Sequence, residues 1–81
     1  MIEGRNRMPT IDLPATGMNI GELMKMNGIS AADVADRMGF SSRNAVYKWI
    51  KGEALPTLDN ILILADLLDV TIEDILVVTR I

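Results

Sequence analysis

Between residues 30 and 52 the chain encodes two short helices with hardly any chain between them, and few folds accommodate that arrangement. Ser30 opens a Ser-x-x-Asp pattern with Asp33, in which the serine oxygen satisfies an orphan backbone donor of the first turn. Val34, Ala35 and Met38 follow at helical spacing, and Gly39 supplies a stop. This predicts a helix over 31–38. After Phe40 and Ser41, a second helix is expected over 42–51, with Val46, Trp49 and Ile50 as its buried stripe and Gly52 as its stop. Two short helices joined by a turn of about three residues have the spacing of a helix-turn-helix.

The rest of the chain is read as helical support for that pair. "MPTIDLPAT", residues 8–16, holds two prolines and reads as an irregular or extended arm. Ile20, Leu23 and Met24 mark a first helix over about 17–27, ending at Asn27-Gly28. Thr57 caps a fourth helix carrying Leu58, Ile61, Leu62, Ala65 and Leu68, and the Thr71-x-x-Asp74 pattern opens a fifth with Ile72, Ile75 and Leu76. No segment alternates as a strand. The expected fold class is all-α: a five-helix domain over 17–81 preceded by an arm over 1–16. At 81 residues, 49% of them apolar, one small core closes without staples.

Several function classes drop out. With no Cys and no His, the commonest metal ligands and the commonest general base are missing, and no Gly-rich phosphate loop is present. We therefore expect no enzyme, no metal and no cofactor. The apolar stretch "ILILADLLDVTIEDILVV" is interrupted by Asp66, Asp69, Glu73 and Asp74, so a membrane span is not expected, and a reducing, cytoplasmic setting fits the absence of Cys. Ile2-Glu3-Gly4-Arg5 spells a protease recognition sequence common in expression vectors, so residues 1–7 are read as a vector remnant or a disordered arm.

Charge is distributed unevenly along the chain. The net charge is −3, yet residues 37–52 contain Arg37, Arg43, Lys48 and Lys51 and no acid, whereas residues 53–81 hold six acids against Arg80 alone. Only the middle of the chain would attract a polyanion. On a helical wheel Arg43, Asn44, Tyr47, Lys48 and Lys51 fall within an arc of roughly 140°, opposite Val46, Trp49 and Ile50. The chemistry of that arc suits base edges: Arg forks to guanine O6 and N7, Asn pairs with adenine N6 and N7, and Lys donates to guanine or phosphate. Arg43, Asn44 and Lys48 are the base-contact candidates. The Tyr47 hydroxyl either touches a phosphate or only covers the helix edge.

Residues 19–77 resemble the helix-turn-helix domain of the Cro and cI repressor type, also called Xre-type, with a lambda-repressor-like fold. The matching runs are "GISAADVADRMGFS" and "AVYKWIKGEALPTLDNILILADLLDVTIEDIL". The resemblance implies that the third helix enters the major groove of double-stranded DNA. It also implies phosphate contacts from Ser30 at the start of helix 2, from Ser41 and Ser42, and from Lys51 after helix 3. Three departures stand out. Ala31 occupies a position where the family often has Gln, Ile50 one where many members have Glu, and one extra residue lies between Gly39 and Val46. The last leaves the register of Ser41–Asn44 open by one position.

The expected function is sequence-specific binding of double-stranded DNA by a homodimeric, repressor-like regulator. Ile63, Leu67, Val77, Val78 and Ile81 form the candidate pairing surface, or else complete the monomer's core. The alternative is a protein-interaction module of the same fold, antitoxin-like or an adaptor, with little DNA binding, since the chain outside residues 37–52 carries −7.

Overall fold

The computed structural model describes residues 7–81; the Ile2-Glu3-Gly4-Arg5 motif lies outside the described residues. Five helices and a two-stranded ribbon follow one another as β1 (Pro9–Ile11), α1 (Leu13–Met26), α2 (Ala31–Met38), α3 (Asn44–Ile50), α4 (Leu58–Leu68), α5 (Ile72–Ile75) and β2 (Val78–Arg80). Each of the expected helices is present. Their caps are the ones the sequence encodes. Ser30 and Asp33 exchange hydrogen bonds at the start of α2, at 2.9 and 3.1 Å, and Thr71 and Asp74 repeat the exchange at α5, at 3.0 and 3.1 Å. The Thr57 hydroxyl accepts from the Asn60 N–H at 3.3 Å.

Two boundaries differ from expectation at the first helix and the arm. Helix α1 begins at Leu13, four residues before position 17, because Asp12 caps it by accepting from the Ala15 N–H at 3.0 Å. Pro14 sits in the first turn, where its missing donor has no intrahelical acceptor to lose. The arm itself is ordered as β1, antiparallel to β2, with Pro9, Thr10 and Ile11 opposite Arg80, Thr79 and Val78. Three-residue strands with Pro in one of them give no alternation long enough to read, so the pairing is invisible to periodicity.

Ribbon and helices are tied at one buried polar residue. The Thr16 hydroxyl, 1% exposed, accepts from the Val77 N–H at 2.9 Å, and the Val77 carbonyl takes the Asp12 N–H at 2.8 Å. Asn19 donates its amide to the Asp74 and Ile75 carbonyls at 2.7 and 2.9 Å, satisfying orphan acceptors at the end of the one-turn helix α5. The core gathers Ile20 and Met24 of α1, Val34 and Ala35 of α2, Val46 and Trp49 of α3, Leu64, Ala65 and Leu68 of α4, and Ile75. Phe40, from the turn after α2, meets Trp49 edge-on with ring centroids 5.9 Å apart.

The proposed pairing residues separate into two groups. Leu67 packs against the core and Ile63 and Val77 are half-buried, whereas Val78 and Ile81 are more than half exposed. Among the described residues no helix is long and apolar enough to cross a membrane.

Candidate nucleic-acid interface

Helix α2 ends when Gly39 turns left-handed, at φ 75°, a conformation that suits a residue without Cβ. Helix α3 then starts at Asn44, two residues later than the sequence predicted. The intervening turn, residues 39–43, is five residues long rather than about three. Ser41, Ser42 and Arg43 form bends, and Arg43 is the N-cap, at φ −89° and ψ 1°, with no side-chain capping bond. The Ser42 hydroxyl accepts from the Asn44 N–H at 3.3 Å, which stabilises the start of α3 and leaves the hydroxyl proton free to donate outward.

The apolar side of α3 is buried as expected: Val46 is fully enclosed, Trp49 is 4% exposed, and Ile50 is half-buried. The other side is open. Ser41, Ser42, Arg43, Asn44, Tyr47, Lys48 and Lys51 are all exposed and form one continuous surface, with a hollow at its near edge lined by Gly39, Phe40, Ser41, Ser42, Asn44 and Lys48. Among the described residues, the side chains of Arg43, Asn44, Lys48 and Lys51 make no hydrogen bond or ion pair within the protein. Four polar side chains without an internal partner leave this surface open to a ligand.

Two of the residues singled out in the sequence are engaged differently. Arg37 pairs with Asp66 of α4 at 3.0 Å, so of the four cations in residues 37–52 Arg43, Lys48 and Lys51 remain without a partner among the described residues. Ser30 stands apart at the start of α2 beside Asp33, whose carboxyl is held below the ordinary Asp range by hydrogen bonds from the Ser30 backbone and hydroxyl. Asp33 therefore stays ionised, next to the place where a phosphate would approach Ser30.

What holds α3 at its height is a feature that periodicity does not reveal. Gly17, buried in α1, lies so close under the last turn of α3 that a Cβ there would overlap the Trp49 carbonyl oxygen and stand 2.7 and 2.8 Å from the Ile50 oxygen and the Gly52 nitrogen. Gly52 returns the contact. At φ 74°, its own Cβ would come 2.6 Å from the Pro14 Cα. Two glycines thus let the backbone of α1 and the end of α3 touch directly, so α3 is seated on main chain as well as on its buried side chains. The stop signal at Gly52 was legible, but Gly17 gave no signal, being a mid-helix glycine whose reason lies in a residue 35 positions away.

Comparison with known proteins agrees with this geometry. A helix-turn-helix family model matches residues 20–75. Among solved structures, the restriction-modification controller protein C.AhdI from Aeromonas hydrophila superposes with a TM-score of 0.70 at 31% identity, covering 79% of this chain and 96% of its own. The DNA-binding domain of BldD superposes with a TM-score of 0.66 at 18% identity, over 80% of this chain and 93% of its own, a likeness of fold alone. No curated protein matches the sequence. The family match over more than half of the chain, which spans α2, the glycine turn and α3, means that the chain belongs to the Cro/cI-type helix-turn-helix family.

Proposed function

We propose that the protein is a transcription regulator that binds double-stranded DNA as a homodimer, with α3 in the major groove. The observation that carries this reading is the outward face of α3: an uninterrupted set of unpaired donors and cations on a helix whose other face is locked into the core. Asn44 and Lys48 lie one turn apart on the same side of the helix, where each meets a base edge, while Arg43 reaches in from the turn ahead of them. Ser41, Ser42, Tyr47 and Lys51 surround these three and fall to the phosphates. Likeness to a restriction-modification controller supports a regulatory role.

The three cations on the α3 face of one copy neutralise few phosphates, so one copy binds weakly and two copies are needed for useful affinity. The test is a salt titration of binding to a duplex selected from a random pool. Lys51→Ala is expected to weaken all duplexes alike and to lower the slope of log K against log salt by about 0.9 per subunit. Arg43→Ala is expected to cost about 1–3 kcal/mol on the selected duplex and to relax its sequence preference. If Arg43→Ala and Lys48→Ala both leave affinity and salt slope unchanged, the face is misassigned. The acidic remainder of the chain favours the second reading, a protein-interaction module for a basic partner. In that case the random pool yields no enriched sequence.

A further inference from the structure

Helix α4 holds two leucines outside the core. With Leu58 at 0°, Leu62, Asp66 and Asp59 follow at about 40°, 80° and 100° around the helix. The buried Ile61, Leu64, Ala65 and Leu68 occupy a separate arc, between about 240° and 340°. The helix therefore carries a second stripe, turned to solvent: Leu58 is 78% exposed and Leu62 57%, and Leu55, just ahead of the N-cap Thr57, is exposed as well. Apolar side chains that stand together at helical spacing with polar residues around them mark an interaction surface.

The charge beside the stripe says what covers it. Residues 53–69 contain Glu53, Asp59, Asp66 and Asp69 and no cation. Asp66 is paired with Arg37, and the other three have no ion-pair partner among the described residues. Such a face repels DNA, and a second copy meeting it there would set a like group of carboxylates against its own. Its complement is a row of apolar side chains flanked by cations. We infer that the Leu58–Leu62 face of α4 docks a basic amphipathic helix of a second protein, whose apolar stripe covers the two leucines and whose Lys or Arg side chains meet Asp59 and Asp69 at the rim. The inference goes beyond the DNA reading and stands without it, because α3 and α4 present separate faces of opposite charge.

Leu58 and Leu62 are one turn apart, about 6 Å along the axis. They form a ridge of the i, i+4 kind, which a facing helix receives in the groove between two rows of its own side chains. Two or three leucines bury less than the ~800 Å² per partner of a standard interface. The complex is accordingly transient, with the leucines supplying the anchor and the carboxylates setting orientation and salt dependence.

The probe is a synthetic helical peptide of Leu and Lys with all its leucines on one face, titrated into the isotope-labelled full chain and followed by amide chemical shifts. Saturable shifts are expected at residues 55–69, with the amides of residues 43–51 unmoved. Leu58→Ser combined with Leu62→Ser is expected to weaken the peptide at least about tenfold. Asp59→Asn combined with Asp69→Asn is expected to weaken it about two- to tenfold at low salt, a difference that disappears at high salt. All four side chains are exposed, and circular dichroism checks that both double variants keep the fold. A peptide of the same composition with its leucines scattered around the helix is expected to bind the wild type no better than the leucine variant. Shifts spread over acids throughout the chain, or an affinity that survives the loss of both leucines, overturn the docking face. Shifts at Leu58 and Leu62 that follow protein concentration with no peptide present make a second copy the occupant and overturn the basic partner. Neither result touches the DNA reading, which stands or falls on the Arg43 and Lys48 variants.

Discussion

The contact between α1 and α3 makes a quantitative prediction at a position where a helix would ordinarily welcome a methyl group. In a helix interior, Ala is favoured over Gly by about 0.8–1.0 kcal/mol. At Gly17 the added Cβ stands 2.7 Å from the Ile50 oxygen and 2.8 Å from the Gly52 nitrogen, where ordinary contact begins near 3.4 Å, and it overlaps the Trp49 oxygen outright. All three are backbone atoms at the end of α3, so no rotamer change relieves them. The last turn of α3 has to lift from α1 by about 0.6–0.7 Å or more, and overpacking of this kind costs ~1–3 kcal/mol. Because three rigid atoms are involved, the upper end applies. After the helix-propensity gain, the net loss is ~2 kcal/mol, or a Tm lower by roughly 8–16 °C for a domain of this size.

Gly21, one turn further along α1, is the internal control. A Cβ there meets only the Ile50 Cγ2 at 3.3 Å, the end of a side chain able to yield by a few tenths of an ångström. Gly21→Ala is expected to leave stability unchanged or raise it by up to ~1 kcal/mol. Thermal and urea denaturation of the two variants, followed by circular dichroism, give the comparison. If Gly17→Ala proves as stable as Gly21→Ala, the backbone seat is wrong and α3 is held by its side chains alone.

Two further predictions concern the helix ends. Asp33 and Asp74 are held below the ordinary Asp range by hydrogen bonds from the backbone and hydroxyl of Ser30 and Thr71. Their folded pKa lies below the unfolded one, so the stability they add is fully present above the unfolded value and is lost as pH falls through the folded value. Denaturation midpoints measured from neutral pH down to strongly acid pH should fall less steeply in Asp33→Asn and Asp74→Asn than in wild type, and an unchanged slope refutes the assignment. Asp69 closes α4 in the left-handed region, at φ 57° and ψ 46°. Asp69→Gly removes that strain and is expected to stabilise by ~1 kcal/mol, raising Tm by roughly 4–8 °C, whereas a fall in Tm means that the aspartate side chain matters more than its backbone angle.

How much of this was legible in the sequence depended on whether a feature repeats. The capping pairs Ser30/Asp33 and Thr71/Asp74, the stops at Gly39 and Gly52 and the stripe of Val46 and Trp49 are local patterns at helical period, and each appears where the spacing put it. The exposed cationic arc of α3 follows from the same period, since burying Val46 and Trp49 leaves Asn44, Lys48 and Lys51 outside. The features that escaped are set by contacts distant in sequence. Strand β1 exists because β2 lies some seventy residues away to pair with it, and α1 starts early because Asp12 was available as a cap before a proline the first turn tolerates. The pairing of Arg37 with Asp66, which removes one cation from the patch, likewise joins two helices.

The position of Arg43 shows how such long-range contacts shape the turn ahead of α3. With Gly17 and Gly52 fixing the C-terminal end of α3 against α1, the helix cannot slide to take up an additional residue at its start. Ser42 and Arg43, expected in the first turn of the helix, belong instead to the turn upstream of it. Val46 and Trp49 keep their phase toward the core, Asn44 and Lys48 keep theirs toward solvent, and the change falls on Ser41, Ser42 and Arg43 alone. Arg43 consequently leaves the helical wheel and extends from a non-helical backbone. A residue presented in this way can tilt without disturbing the helix behind it. Under the proposed DNA reading, substitution of Arg43 should therefore retune which bases are preferred while leaving stability nearly untouched, whereas substitutions at Gly17 or Gly52 should lower stability and the affinity for every duplex together.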